Sequence, residues 1–307
     1  MSLALLFPGQ GTQHPAMLGW LESCPAASET LALVEARLGS DWRTRLSNQD
    51  WASSNRVAQI LLTGLGLAAW ECLRERLSEP STIAGYSIGE IPAFCAAGVF
   101  DVEAAIALAC ERADAMELSV AGHDTGLLAV TSPDPGAIER ACRRHSLAVA
   151  IVLSTDRWVL GGRSAALDLA LVELSNDGAR CNRLAVKHAS HTPWTAAAAT
   201  DFARRAMAVP FARNGATLVC NLTGAAVRGE QALRAALAGQ IAHPVQWSRC
   251  MQAVAERRPR CVLEVGPGST LSRLWNERFP SIPARSVDEF RSPQAVAEWV
   301  SGTLVRG

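Results

Sequence analysis

Lysine is almost absent from this chain. Lys187 is the only one among 29 basic residues, so nearly every positive side chain is an arginine, which reads as a bias of composition and not as chemistry. There is no excess of either charge: 29 basic and 29 acidic residues give a formal net charge of zero. A protein that neutralises phosphates along a nucleic acid needs a basic surplus, so nucleic acid is excluded as the main partner. No C-x-x-C pair occurs among the nine cysteines, whose number is odd and whose spacing is irregular. That pattern argues against a disulfide framework or a zinc site, and predicts reduced, mostly buried thiols in a cytoplasmic protein with no bound metal. No run reads as the ~20 apolar residues of a membrane span. No basic leader precedes Leu3–Phe7, which breaks at Pro8-Gly9 and reads as a first buried strand instead of a signal peptide. Repeats and low-complexity segments are also missing.

What is present is apolar and patterned. Hydrophobic residues make up 49% of the 307 and charged residues 19%, which permits a substantial core and excludes disorder. The length suits one large domain with an insertion, or two domains. Residues 1–122 read as a strand at 3–7, helices near 15–40 and 56–78, a strand–turn–helix around Ser87 and a helix near 101–118. Residues 123–187 change rhythm. Strands at 127–131, 147–153, 158–161 and 180–186 alternate with helices at 135–145 and 164–177, the βαββαβ order of a ferredoxin-like unit. Residues 188–307 return to helices and short strands, notably 216–220 and 260–265. The fold class expected is α/β: a hydrolase-like domain with a parallel sheet, formed by 1–122 and 188–307 and interrupted by a small α+β subdomain at 123–187. The cleft between them is the natural site.

One pentapeptide stands where a nucleophile would be displayed. Gly85-Tyr86-Ser87-Ile88-Gly89 follows a short strand pattern and opens an apolar helical one, and Tyr86 is the only tyrosine. Strand, tight turn and helix are the context that a G-x-S-x-G elbow requires. The bland reading is a structural turn. Phe7-Pro8-Gly9-Gln10-Gly11-Thr12-Gln13 is either an ordinary Pro-Gly turn or half of an oxyanion hole, with the Gln10 N–H paired to that of Ile88. His191, in Ala189-Ser190-His191-Thr192-Pro193, is a candidate base or a packed core residue; His188 lies beside it. His14, His123, His145 and His243 have weaker contexts, and His145 follows Arg143-Arg144 on a helix face read as solvated. Arg112 lies in a largely apolar helix with Met116 one turn on, and is either a snorkelling surface residue or a buried clamp for a carboxylate.

Taken together, Phe7–Gln13, Gly85–Glu90, Arg112, Ser190-His191, Gln240 with Pro244-Val245-Gln246-Trp247, and Glu264–Gly268 resemble the malonyl-CoA:acyl-carrier-protein transacylases. The motifs follow the family's order along essentially the whole chain. The resemblance implies Ser87 as the acylated nucleophile and His191 as its base, oriented by the Gln240 carbonyl. It implies Arg112 as the clamp for the malonyl carboxylate, the Gln10 and Ile88 N–H groups as the oxyanion hole, and Tyr86 and Met116 as substrate-binding residues. No cofactor is implied. The substrate would be a coenzyme A thioester, malonyl-CoA, and the acceptor the phosphopantetheine-type thiol of a small acidic acyl carrier protein. Three departures stand out: Tyr86 replaces the family's usual histidine, Pro92 enters the first turns of the following helix, and Ser154-Thr155 occupies a stretch where an asparagine is common. Tyr86 makes the chain look most like the epsilon subunit of malonate decarboxylase systems. A fatty-acid-synthesis transacylase, a serine thioesterase or hydrolase, and an inactive scaffold are the competing readings, and methylmalonyl stays open as an acyl group. Arg204-Arg205 and Arg257-Arg258-Arg260 are candidate carrier-docking groups or solvated helix faces.

Overall fold

A computed structural model describes residues 2–306. Among the described residues, ten strands form two sheets: β1 Leu3–Phe7, β2 Thr82–Gly85, β3 Thr125–Thr131, β4 Ala148–Val152, β5 Arg157–Arg163, β6 Arg180–Arg183, β7 Thr217–Cys220, β8 Ala225–Val227, β9 Cys261–Glu264 and β10 Ala284–Ser286. The first sheet has the order β10-β9-β1-β2-β7-β8 and is parallel except for β8. Its central strand β1 is buried along its whole length. Leu3, Leu5 and Phe7 face one core and Ala4 and Leu6 the other, the period-2 alternation of a strand covered on both faces. Burying a side chain such as Phe7 contributes about 1.5–3 kcal/mol.

The second sheet is antiparallel, in the order β4-β5-β3-β6. Helices Pro135–His145 and Ser164–Asn176 pack against it around Leu128, Leu160 and Leu167. Its edge strand β4 touches the first unit directly: the Val245 N–H donates to Ala150 O and the Val152 N–H to Val245 O, both at 2.9 Å.

Local chemistry alters several expected elements. The helix expected over 15–40 is broken into 3-10 turns Gly19–Ser23 and Pro25–Ala27 followed by helix Ser28–Leu38. Leu18 sits at φ 51° and Cys24 is extended ahead of Pro25, and the residue before a proline disfavours the helical region. Helix Asn55–Leu73 is long and apolar enough to cross a membrane, yet 89% of its apolar stretch is buried inside the fold, so it serves as a core helix. Cys24 and Cys72 are joined in a disulfide across 48 residues. This corrects the expectation of thiols throughout, and it weakens the cysteine argument for a cytoplasmic location. His145 is also less solvated than expected, since its ring lies 2.7 Å from Glu173 with only 13% of its side chain exposed.

Parallel strands place their C-terminal ends along one edge, where such sheets bind ligands. The loops after β1, β2, β7 and β9 all emerge there, carrying Gln10, Ser87, Asn221 and Gly266. Arg257, Arg258 and Arg260 precede β9 and therefore lie at the opposite edge, where the Arg260 N–H donates to Ser2 O. They do not border the Ser87 end of the sheet.

Candidate active site

The turn after β2 is set by two glycines. A Cβ on Gly85 would fall 1.9 Å from Gly89 O, and one on Gly89 would fall 2.2 Å from Phe7 O. The first contact lets the turn close. The second lets the Phe7–Gln13 loop lie directly against it. Between the glycines Ser87 takes φ 56°, a left-handed conformation that a residue with a Cβ keeps only when its surroundings impose it. A short 3-10 turn, Ser87–Gly89, leads into helix Glu90–Ala96. Pro92 is the third residue of that helix, among the N–H positions that have no partner within it, so it forfeits no bond.

Ser87 Oγ lies 2.7 Å from His191 Nε2. His191 Nδ1 lies 2.5 Å from Gln240 O, so Nδ1 carries the proton and donates it, leaving Nε2 to accept from the serine hydroxyl. The main chain of His191 is also held: its N–H donates to Ile241 O at 2.8 Å, and Thr195 Oγ1 donates to the same carbonyl at 2.6 Å. His191 too adopts a left-handed φ, 62°. It is 2% exposed, and burial, with the nearby Arg112 charge, pulls its pKa down to about 3 against the Gln240 bond that raises it. At neutral pH the ring is an uncharged base.

Arg112 is 1% exposed, on helix Val102–Ser119. Its Nη1 donates to Gln59 Oε1 at 2.8 Å, and its Nη2 donates to Gln240 Oε1 and Ser87 Oγ, both at 3.4 Å. Every one of these acceptors is neutral, and its Nε has no partner. Burial lowers its pKa to about 10, with Glu90 opposing, so it remains charged. Glu90 is itself buried and raised to about 8, chiefly by desolvation, so it is mostly protonated near neutrality and supplies little counter-charge.

The structure thus gathers Ser87, His191, Arg112 and Gln240. Ile88 follows the serine directly, and the Gln10 side chain is tied to Asn55 Oδ1 at 3.1 Å. Met116 is buried against Gln59, whose Nε2 lies 3.6 Å from its sulfur. The Tyr86 ring packs edge-on to Trp247, with centroids 5.1 Å apart, and against Gly9. His188 stands apart from the dyad, lining a cavity of about 640 Å³ with Gln10, Asn55, Glu117 and Lys187. Among the other histidines, His14 pairs with Asp288, His123 packs on Trp194 and His243 bonds Gly239 O. Arg204 and Arg205 both pair with Asp201 on their own helix. Sequence reading missed Gln59, Asn55 and Asn221, and gave Glu90 no role. The first two build a chain from Gln10 to Arg112 through Asn55 Oδ1 and Gln59 Nε2, 2.7 Å apart.

The neutral imidazole has a consequence for pH. Because the folded His191 resists a proton that the unfolded chain binds near 6.5, this group's contribution to stability is complete above 6.5 and falls as pH drops from 6.5 toward 3. Any acylation of Ser87 that uses His191 as its base should therefore keep a level kcat/KM from pH 8 to pH 5. A half-loss near pH 6.5 would contradict the depressed value.

The chain as a whole has counterparts among known proteins. Residues 4–301 match the acyl transferase domain family. The chain belongs to that family. It is 33% identical to the malonyl CoA-acyl carrier protein transacylase of Mycobacterium tuberculosis over 93% of this chain and 96% of the relative. Identity to the Escherichia coli transacylase of the same description is 28%, over 96% and 97%. Among solved structures, the malonyl-CoA:acyl carrier protein transacylase of Xanthomonas oryzae superposes with TM-score 0.89 at 30% identity, covering 98% of this chain and 99% of the other. A malonyl-transacylase solved with its type II polyketide synthase acyl-carrier protein superposes with TM-score 0.90 at 27% identity, covering 97% and 99%.

Proposed function

We propose that this protein is a malonyl-CoA:acyl-carrier-protein S-malonyltransferase. The observation that carries the reading is Arg112: a buried guanidinium within reach of Ser87 Oγ, surrounded by neutral acceptors, is suited to an acyl group that brings its own carboxylate. Transfer is ping-pong. His191 Nε2 takes the Ser87 proton as Oγ attacks the malonyl thioester carbonyl, and the Gln10 and Ile88 N–H groups hold the oxyanion, each worth roughly 3–4 kcal/mol in the transition state. The C–S bond breaks, coenzyme A leaves as a thiol with the proton from His191, and the malonyl ester stays on Ser87. The carrier's pantetheine thiol then gives its proton to His191, attacks the ester, and Ser87 leaves with that proton. No cofactor takes part. Residues 123–187, with strands in the order β4-β5-β3-β6, are read as a ferredoxin-like small subdomain, and 1–122 with 188–307 as the large one carrying the nucleophile elbow. Tyr86 and Met116 are assigned to the walls of the acyl pocket.

The likeness to carrier-protein transacylases favours an acyl carrier protein of the fatty-acid type as acceptor. A second reading, the transacylase of a malonate decarboxylase system, rests on Tyr86 in place of the family's histidine. Offering malonyl-CoA with a fatty-acid carrier, with the decarboxylase carrier subunit, or with no acceptor separates the cases. Malonyl transfer to the first carrier is expected. Preference for the second carrier would favour the decarboxylase reading, and steady release of free malonate without any acceptor would support a hydrolase instead.

A further inference from the structure

Asn221, in the turn after β7, is fully buried beneath the serine turn. Its Oδ1 accepts from the Ser87 N–H at 2.7 Å, and its Nδ2 donates to Gly85 O at 2.5 Å. One side-chain amide therefore bridges the main chain on both sides of Tyr86. Asn221 is itself fixed at both ends of its backbone: its N–H donates to Glu90 Oε1, and its carbonyl accepts from the Gln246 N–H at 2.9 Å. The left-handed Ser87 is thus held through its main chain, by groups that do not touch the hydroxyl.

We propose that Asn221, seated by Glu90, is a positioning residue that holds Ser87 in its left-handed conformation and so aims Oγ at His191. The proposal rests on Ser87 being the nucleophile. Both functional groups of the amide are needed. Aspartate in its place keeps an acceptor for the Ser87 N–H but has no donor for Gly85 O, and alanine has neither. Glu90 contributes an acceptor to the Asn221 N–H, which a glutamine carbonyl also supplies.

The test measures how fast a serine-reactive fluorophosphonate labels Ser87 in the purified full-length protein, alongside the melting temperature. Asn221→Ala is expected to label about 10²-fold more slowly, the penalty of a nucleophile displaced by an ångström, and Asn221→Asp about 10-fold more slowly. Glu90→Gln should stay within about threefold of wild type, because one neutral acceptor replaces another, whereas Glu90→Ala should slow labelling like the Asn221 variants. If Asn221→Ala does not fold, the near-isosteric Asn221→Asp and the Glu90→Gln and Glu90→Ala pair decide. Variants that melt earlier yet label at the wild-type rate when folded would overturn the proposal, as would Glu90→Gln labelling as slowly as Glu90→Ala. The phosphonate reads the serine directly, so a wild-type protein that labels but takes no malonyl group from malonyl-CoA overturns the transferase reading and leaves the labelling rates to judge Asn221.

Discussion

Arg112→Ala is expected to lose malonyl transfer by about 10²–10³-fold in kcat/KM while keeping or gaining acetyl transfer. The reasoning starts from what the guanidinium lacks. It is fully desolvated, and its partners Gln59, Gln240 and Ser87 offer lone pairs but no charge. A malonyl carboxylate would complete a buried pair, and leaving one member of such a pair alone costs about 3–5 kcal/mol. The wild type therefore discriminates against acetyl by leaving the cation uncompensated. Removing the cation removes both the reward and the penalty. Competition between malonyl-CoA and acetyl-CoA, read by intact mass of the acyl-enzyme, measures the shift. An unchanged acyl preference in Arg112→Ala would refute the clamp. Arg112→Lys is expected to recover little, because an ammonium cannot reproduce the fork that spans Gln59 and Gln240.

Ser87→Ala should abolish the malonyl adduct altogether. The same incubation that adds one malonyl mass to the wild-type peptide containing Ser87 should leave the variant unmodified, and transfer should fall by on the order of 10⁴–10⁶. His191→Ala should fall nearly as far, because the imidazole is the group placed to take the hydroxyl proton. The double variant should be scarcely worse than either single one, since nucleophile and base act as a unit. An equal adduct on Ser87→Ala would relocate the nucleophile. Fully additive losses would mean that the two residues do not share a step.

Much of the architecture could be read from local pattern. The first strand over 3–7, an apolar run ended by Pro8-Gly9, and the helix over 135–145 have the bounds read from the sequence. Strands β8 and β10 escaped because three residues are too short to show a period. The helix over 15–40 was misread because its apolar spacing continues across Pro25, while backbone geometry does not. The site divides in the same way. Ser87, Gln10 and His191 sit in short motifs with recognisable turn chemistry. Asn221 lies in Cys220-Asn221-Leu222-Thr223-Gly224, which looks like any turn, and its role exists only because β7 is laid beside β2, 134 residues away from Ser87 in sequence. Gln59 is one polar residue in an apolar helix, and nothing local marks it as the partner of an arginine 53 residues on. The Cys24–Cys72 bond is of the same kind: its partners meet only when the helix carrying Cys72 packs on the 3-10 turns.

Lys187 stands exposed on the rim of the cavity that Gln10 also lines, and no other lysine exists in the chain. An amine-directed dye therefore has one side-chain target, and that target borders the loop that carries Gln10. Apart from the N-terminal amine, whose lower pKa lets it be modified separately, labelling is single-site without any engineered cysteine. The scarcity of lysine thus turns the native protein into its own optical reporter, with a fluorophore beside the loop that carries Gln10.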